Sequence, residues 1–210
     1  TASSTTAGDI VIDETNGLTI NGLTTTTGNI TLTADGDTTV SGAVSAGSNG
    51  FVSLTAATAN ADLTVNAAIS TAVTGNVSLT ADANGVITLS NNVSTDGGDV
   101  TTAGLRTALG TNATIDTEQG GDANAGDVDL SATPVSANAA GLTLTINADG
   151  TDGGAVSLPA FNNADGQFVN ALSINTNGTA NDGTLTLNND VSIDAGDLTL
   201  TGDGDVIIAA

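Results

Sequence analysis

The chain contains no cysteine, methionine, tryptophan, tyrosine or histidine. It has a single cation, Arg106, against 23 acidic residues, and a net charge of -22. These gaps exclude much. A zinc or haem site ligated by histidine or cysteine cannot be assembled from this chain, nor can a catalytic dyad built on histidine, cysteine, lysine or tyrosine. One cation cannot form a phosphate-binding surface, so nucleic acid is not an expected partner. An anionic membrane surface would repel the chain. No apolar run approaches the length of a membrane-spanning helix, so membrane insertion is not expected either. Without disulfides, stability must come from packing.

Disorder is the first alternative for so charged a chain. Its composition argues otherwise. Hydrophobic residues make up 39% of the sequence, and prolines occur only at Pro134 and Pro159. Nearly all the acids are aspartate, with glutamate only at Glu14 and Glu118. Aspartate, asparagine and glycine form turns, which predicts a folded chain with many of them. The opening TASSTTAG lacks the basic and apolar regions of a signal peptide and has no initiator methionine. It reads as a processed chain or as part of a longer protein.

Internal repetition is the strongest signal. A phrase of Gly, then Asp or Asn, then alternating apolar and small polar residues occurs at Gly8–Ile12, Gly28–Leu32, Gly75–Leu79, Gly126–Leu130 and Gly196–Leu200. Looser copies start at Gly50, Gly98 and Gly154. A second phrase follows at Leu18–Ile20, Thr38–Val40, Leu63–Val65 and Val86–Leu89, with later examples at Leu142–Ile146 and Val206–Ile208. A third includes Gly22–Thr27, Gly42–Gly47 and Asn91–Thr95. Gly85–Gly104 aligns with Gly183–Gly202 without a gap.

Each repeat thus predicts three short strands with period-two alternation, joined by Gly/Asn/Asp turns. Three such strands cannot form a free-standing sheet. Stacking each on its equivalent one coil away buries a continuous apolar column. The expected fold is all-β: a parallel β-helix over residues 1–210, with about 8–9 coils and a length of about 40 Å at the usual strand spacing. A β-sandwich is the alternative. Leu105–Leu109 is the one helix-like stretch and reads as a loop or single turn. Residues 131–140 and 159–170 break the spacing and read as irregular loops, the best places for a specific contact.

The Gly-Asp/Asn phrase with Asn- and Thr-rich turns resembles the repeats of filamentous haemagglutinin-like bacterial surface adhesins and of autotransporter passenger domains. The resemblance spans nearly all of Gly8–Ile208. It implies a secreted, right-handed β-helical stalk, often part of a much longer protein.

Several residues are candidate sites. Asp9, Asn29, Asn76, Asp99, Asp127 and Asp197 are expected to stack at one corner. There they would form amide ladders, attract a cation between repelling carboxylates, or simply bond their own turns. Asp35, Asp37, Asp203 and Asp205 lie in DGD turns that supply some of the oxygens calcium needs. Calcium is therefore the one cofactor considered, with solvated turns as the plain reading. The calcium nonapeptide and the EF-hand loop are both absent. Asn29, Asn76, Asn92, Asn112 and Asn177 fit the N-glycosylation pattern. Glycoside chemistry needs two placed carboxylates, which so acidic a stack produces by accident. No catalytic residues are expected.

The reading is a non-enzymatic, extracellular or cell-surface structural stalk, matrix or adhesion segment. Its partners would be flanking repeats, or identical subunits end to end, and other cells, matrix or glycans. The alternative is a self-assembling filament or sheath subunit. A polysaccharide-active enzyme ranks below both.

Overall fold

A computed structural model describes residues 8–119, 124–162 and 167–209, together with the backbone of residues 2–4. Among these residues there is no helix, and every strand pair within the sheets is parallel. The chain winds as a parallel β-solenoid with three faces. The first face holds nine strands, from Ile10–Glu14 to Val206–Ile208. The second holds six, from Leu18–Ile20 to Val135–Ala137. The third holds nine, from Ala2–Ser4 to Leu198–Thr201.

Register is set by the inward apolar residues. On the first face Ile10, Ile30, Val52, Val77 and Val100 stand in one column. Val128, Val156, Leu185 and Val206 continue it. A slip of one residue would turn each of these side chains outward. The alternation shows directly in burial. In Ile30–Ala34 the isoleucine, leucine and alanine are fully buried, while the two threonines between them are half-buried. Between the first and last coils each inward side chain is thus enclosed by its own coil and by those above and below.

Six turns carry all three strands. In the seventh, the second face is reduced to isolated bridges: Phe161 is parallel to Val135 on one side and to Val191 on the other, and Gln167 is antiparallel to Ala137. Phe161 is 2% exposed and fills the interior there. The eighth is frayed: Leu185 is buried, but Leu198 and Leu200 are 45% and 43% exposed. The expected eight to nine coils are therefore seven closed turns, one frayed turn and a single last strand.

Three local expectations change. Leu105–Leu109 is not a loop or helical turn, because Arg106–Leu109 is a second-face strand in register with Val86–Leu89. Pairing on both sides outweighs the weak helical preference of so short a segment. Residues 131–140 are not an excursion, since Val135–Ala137 is the last full strand of the second face. Within 159–170, Phe161 and Val169 are buried and part of the core. Residues 163–166 of that segment lie outside the described residues.

Candidate functional site: the glycine corner

Every first-face strand follows a corner built on one glycine. Gly28, Gly50, Gly75, Gly98, Gly126, Gly154, Gly183 and Gly204 succeed one another at this corner. A Cβ placed on any of them would lie 1.9–2.2 Å from the carbonyl oxygen of the equivalent glycine one coil earlier, beginning with Gly8. No side chain fits. The glycine of the repeat is thus required by close backbone approach rather than by an unusual φ.

Buried threonines fasten the same carbonyls. The hydroxyls of Thr25, Thr71, Thr95 and Thr117 donate to the carbonyls of Gly28, Gly75, Gly98 and Gly126, the last at 2.7 Å. All four threonines are buried. The hydroxyl offsets what would otherwise be an under-bonded carbonyl at the end of the third face.

The Asp or Asn after the glycine bonds neither its own turn nor another amide. Its side-chain oxygen accepts the backbone N–H of the equivalent residue in the next coil. Asp9 Oδ1 accepts from Asn29 at 2.8 Å, and Asn29 Oδ1 from Phe51 at 3.1 Å. Asn76 accepts from Asp99 at 2.8 Å, Asp99 from Asp127 at 2.9 Å, and Asp127 from Ala155 at 2.8 Å. The stack is held by N–H donors, which also offset the mutual repulsion of its carboxylates. Phe51 occupies this column and is 40% exposed, so it is not core.

The same device recurs at the other two corners. Asp37 accepts the N–H of Asp62 at 3.0 Å, and Asp62 that of Val86 at 2.7 Å. Asn92 accepts from Thr114 and Asn112 from Thr143, both at 3.0 Å. Asp197 belongs with the Asn112–Thr143–Ala171 column before the third face, not with Asp9 and Asp127. The position it was expected to fill is taken by Asp205, directly before Val206. The gapless alignment of Gly85–Gly104 with Gly183–Gly202 is likewise one face out of phase. It lays the second-face strand Val86–Leu89 on the first-face strand Leu185–Leu187. Leu142–Ile146 falls mainly on the third face and Val206–Ile208 on the first. All three faces need the same local chemistry, so their phrases are interchangeable by eye.

The glycine corner widens along the rod. Four or five residues join the third face to the first in the early coils, and eight to eleven in the three coils after Asp116. The outgrowths pair as a small two-stranded sheet, Gly150–Asp152 with Gly178–Asn181. Beside it stands an amide ladder. Asn175 Nδ2 donates to Asn147 Oδ1 at 3.1 Å and to Asp149 at 3.1 Å, and Asn147 Nδ2 donates to Asp116 at 3.4 Å. Burial pushes the Asp116 carboxyl above its ordinary range. The N–H of Glu118 and the amide of Asn147 oppose that shift, and the charges of Asp149 and Glu118 add to it. Asp82, at a different corner, is lowered by the N–H groups of Asn84 and Asn60.

Among the described residues, no three carboxylates come together as a metal-ligand set. Of the calcium candidates, Asp37 is engaged in a cap. The backbone N–H of Asp35 donates to Glu14, that of Asp203 to Asp182 Oδ2, and the Asp205 carbonyl accepts from Leu185. Four of the five sequon asparagines, Asn29, Asn76, Asn92 and Asn112, use Oδ1 as caps, while Asn177 donates its N–H to Asn175. One buried feature had no sequence signal. Thr133 bonds Thr102 at 2.8 Å and Thr107 at 2.9 Å, placing three hydroxyls inside the core. In sequence an inward threonine reads like an outward one.

Comparison of the chain with protein-family models, with curated proteins and with solved structures finds no match.

Proposed function

We propose that the chain is a non-enzymatic structural rod, a stalk, matrix or adhesion segment of a large repetitive bacterial surface protein. The observation that carries this reading is the unbroken glycine column from Gly8 to Gly204, with its side-chain caps from coil to coil. The capping carboxylates serve the backbone, which is a structural use of an acidic residue. Such a rod resists bending because successive coils are hydrogen-bonded along its faces and capped at many of its corners. Arg106 as the single cation leaves one site for trypsin-like cleavage, which suits an exposed life. The outgrowths beside the glycine corner are the places for contact with other cells, matrix or glycans.

Immunogold labelling of intact producing cells tests the reading. Antibody raised against the chain should decorate unbroken cells or the matrix around them. Antigen found only after lysis would refute an exterior role.

A further inference from the structure

Buried threonines serve two different purposes in this rod. Thr25, Thr71, Thr95 and Thr117 bond glycine carbonyls on their own stretch of chain. Thr102, Thr107 and Thr133 instead bond across the boundary between two coils. The Thr133 hydroxyl lies 2.8 Å from that of Thr102, 31 residues away, and 2.9 Å from that of Thr107, 26 residues away. It also donates to the Leu130 carbonyl at 3.4 Å. Its two lone pairs are then left for Thr102 and Thr107, so all three hydroxyls are partnered. The three residues are 4%, 1% and 0% exposed.

Two of these places belong to aliphatic columns. Ile12, Leu32, Leu54 and Leu79 stand in line on the first face, and Thr102 takes the next position. On the second face Thr107 stands between Ile87 and Val135. Valine has the shape of threonine and would bury more cheaply at either place, because a hydroxyl taken from water needs a partner. The polar trio also falls where the coils change. Thr133 lies in the first coil after the glycine corner widens.

A repetitive chain has a particular hazard. Its strand phrases are alike, so one coil fits on several others, and repeat proteins misassemble in this way. An aliphatic column accepts any aliphatic neighbour. A hydroxyl does not. If the coil of Thr133 stacked directly on that of Leu79 and Ile87, Thr133 would lose both threonine partners. If the coil of Thr102 and Thr107 met any coil but that of Thr133, two buried hydroxyls would face hydrocarbon. The cost falls on the wrong stackings alone.

We propose that the Thr102–Thr107–Thr133 cluster is a register lock, a conformational device that specifies which coil stacks on which where the regular coils meet the widened ones. The lock goes beyond the rod reading and does not depend on where the rod works.

Refolding of the purified 210-residue chain from denaturant tests it. The products are separated by size-exclusion chromatography and mapped by peptide-resolved hydrogen exchange. Wild type should return as one species with one protection pattern. The triple variant Thr102→Val, Thr107→Val, Thr133→Val should unfold at a denaturant midpoint no lower than that of wild type. Its share of chains with the wild-type pattern should nonetheless fall about fivefold, the remainder showing shifted protection on both sides of residue 117 or forming oligomers. Thr133→Val alone, which strands two hydroxyls, should have a lower midpoint than the triple variant. Thr133→Ser keeps the hydroxyl and should refold to a single pattern, even if the triple variant fails to fold. A triple variant that refolds to one species in wild-type yield overturns the proposal. So does Thr133→Ser as heterogeneous as Thr133→Val, which would make packing rather than the hydroxyl responsible.

Discussion

The coils from Gly28 to Asp116 and the stretch from Leu198 onward use the same repeat with opposite results at the core. In the first region Ile30, Leu54, Ile69, Leu79 and Ile87 are essentially inaccessible, each covered from both sides. In the second, the last two strands present Leu198, Leu200, Val206 and Ile208 to solvent. The residue types do not differ, and neither does the alternation. Burial in a solenoid comes from a neighbouring coil, so one side chain is core or surface according to what lies along the axis.

The largest test of this contrast is Gly98→Val, which sets a side chain against the Gly75 carbonyl in a fully stacked coil. We expect a loss of about 3 kcal/mol or more, read as a shift in the denaturant midpoint or a failure to fold. Gly141→Ala is the control: nothing lies within 4 Å of its Cβ, and only its φ of +81° opposes the change, at a cost of about 1 kcal/mol. If the two variants cost the same, close approach is not what the repeat glycine provides.

Next comes the paired truncation of Leu79 and Leu200, which occupy inward positions in the two regions. Leu79→Ala should cost about 2–5 kcal/mol, and Leu200→Ala less than about 1 kcal/mol in the monomer, by chemical denaturation. Equal costs would show that the last coil is covered in solution. Thr95→Val then probes the buried hydroxyl on Gly98, with an expected loss of about 1–2 kcal/mol. Its effect should exceed that of the same change at Thr199, an exposed residue of the frayed turn.

A gain is expected at Val73, which holds a φ of 58° in an exposed turn of the regular region. β-Branched residues avoid that conformation, so Val73→Gly should stabilise by about 1 kcal/mol, seen as a higher melting temperature. The smallest effect belongs to Asp116, where the regular coils meet the widened ones. Its folded-state pKa is raised, so its contribution to stability is fully present below the ordinary carboxyl range. That contribution is lost as pH rises through the elevated value. Asp116→Asn should therefore raise the melting temperature at neutral pH and leave it unchanged in acid. A gain of the same size at low pH would mean that the carboxylate charge is not the cause.

Much of this architecture was legible in the sequence. Alternation within three to five residues, punctuated by Gly-Asp or Gly-Asn, required short strands that cannot bury themselves alone. The solenoid followed from that. The phase of the repeat was legible only as far as spacing stayed regular. Beyond Asp116 the corners lengthen, and Asp197 reads like Asp127 while sitting on another face. Arg106–Leu109 was misread because local preference is a weak signal against pairing on both sides.

The sequence by itself determined that this chain is a β-solenoid with an aliphatic column and acidic turns, because its periodicities are properties of the covalent chain. Only the tertiary structure decided what those turns bond to. A carboxylate that caps its own turn and one that caps the next coil have the same neighbours in sequence, and they differ only in which backbone N–H the stacking brings within 3 Å.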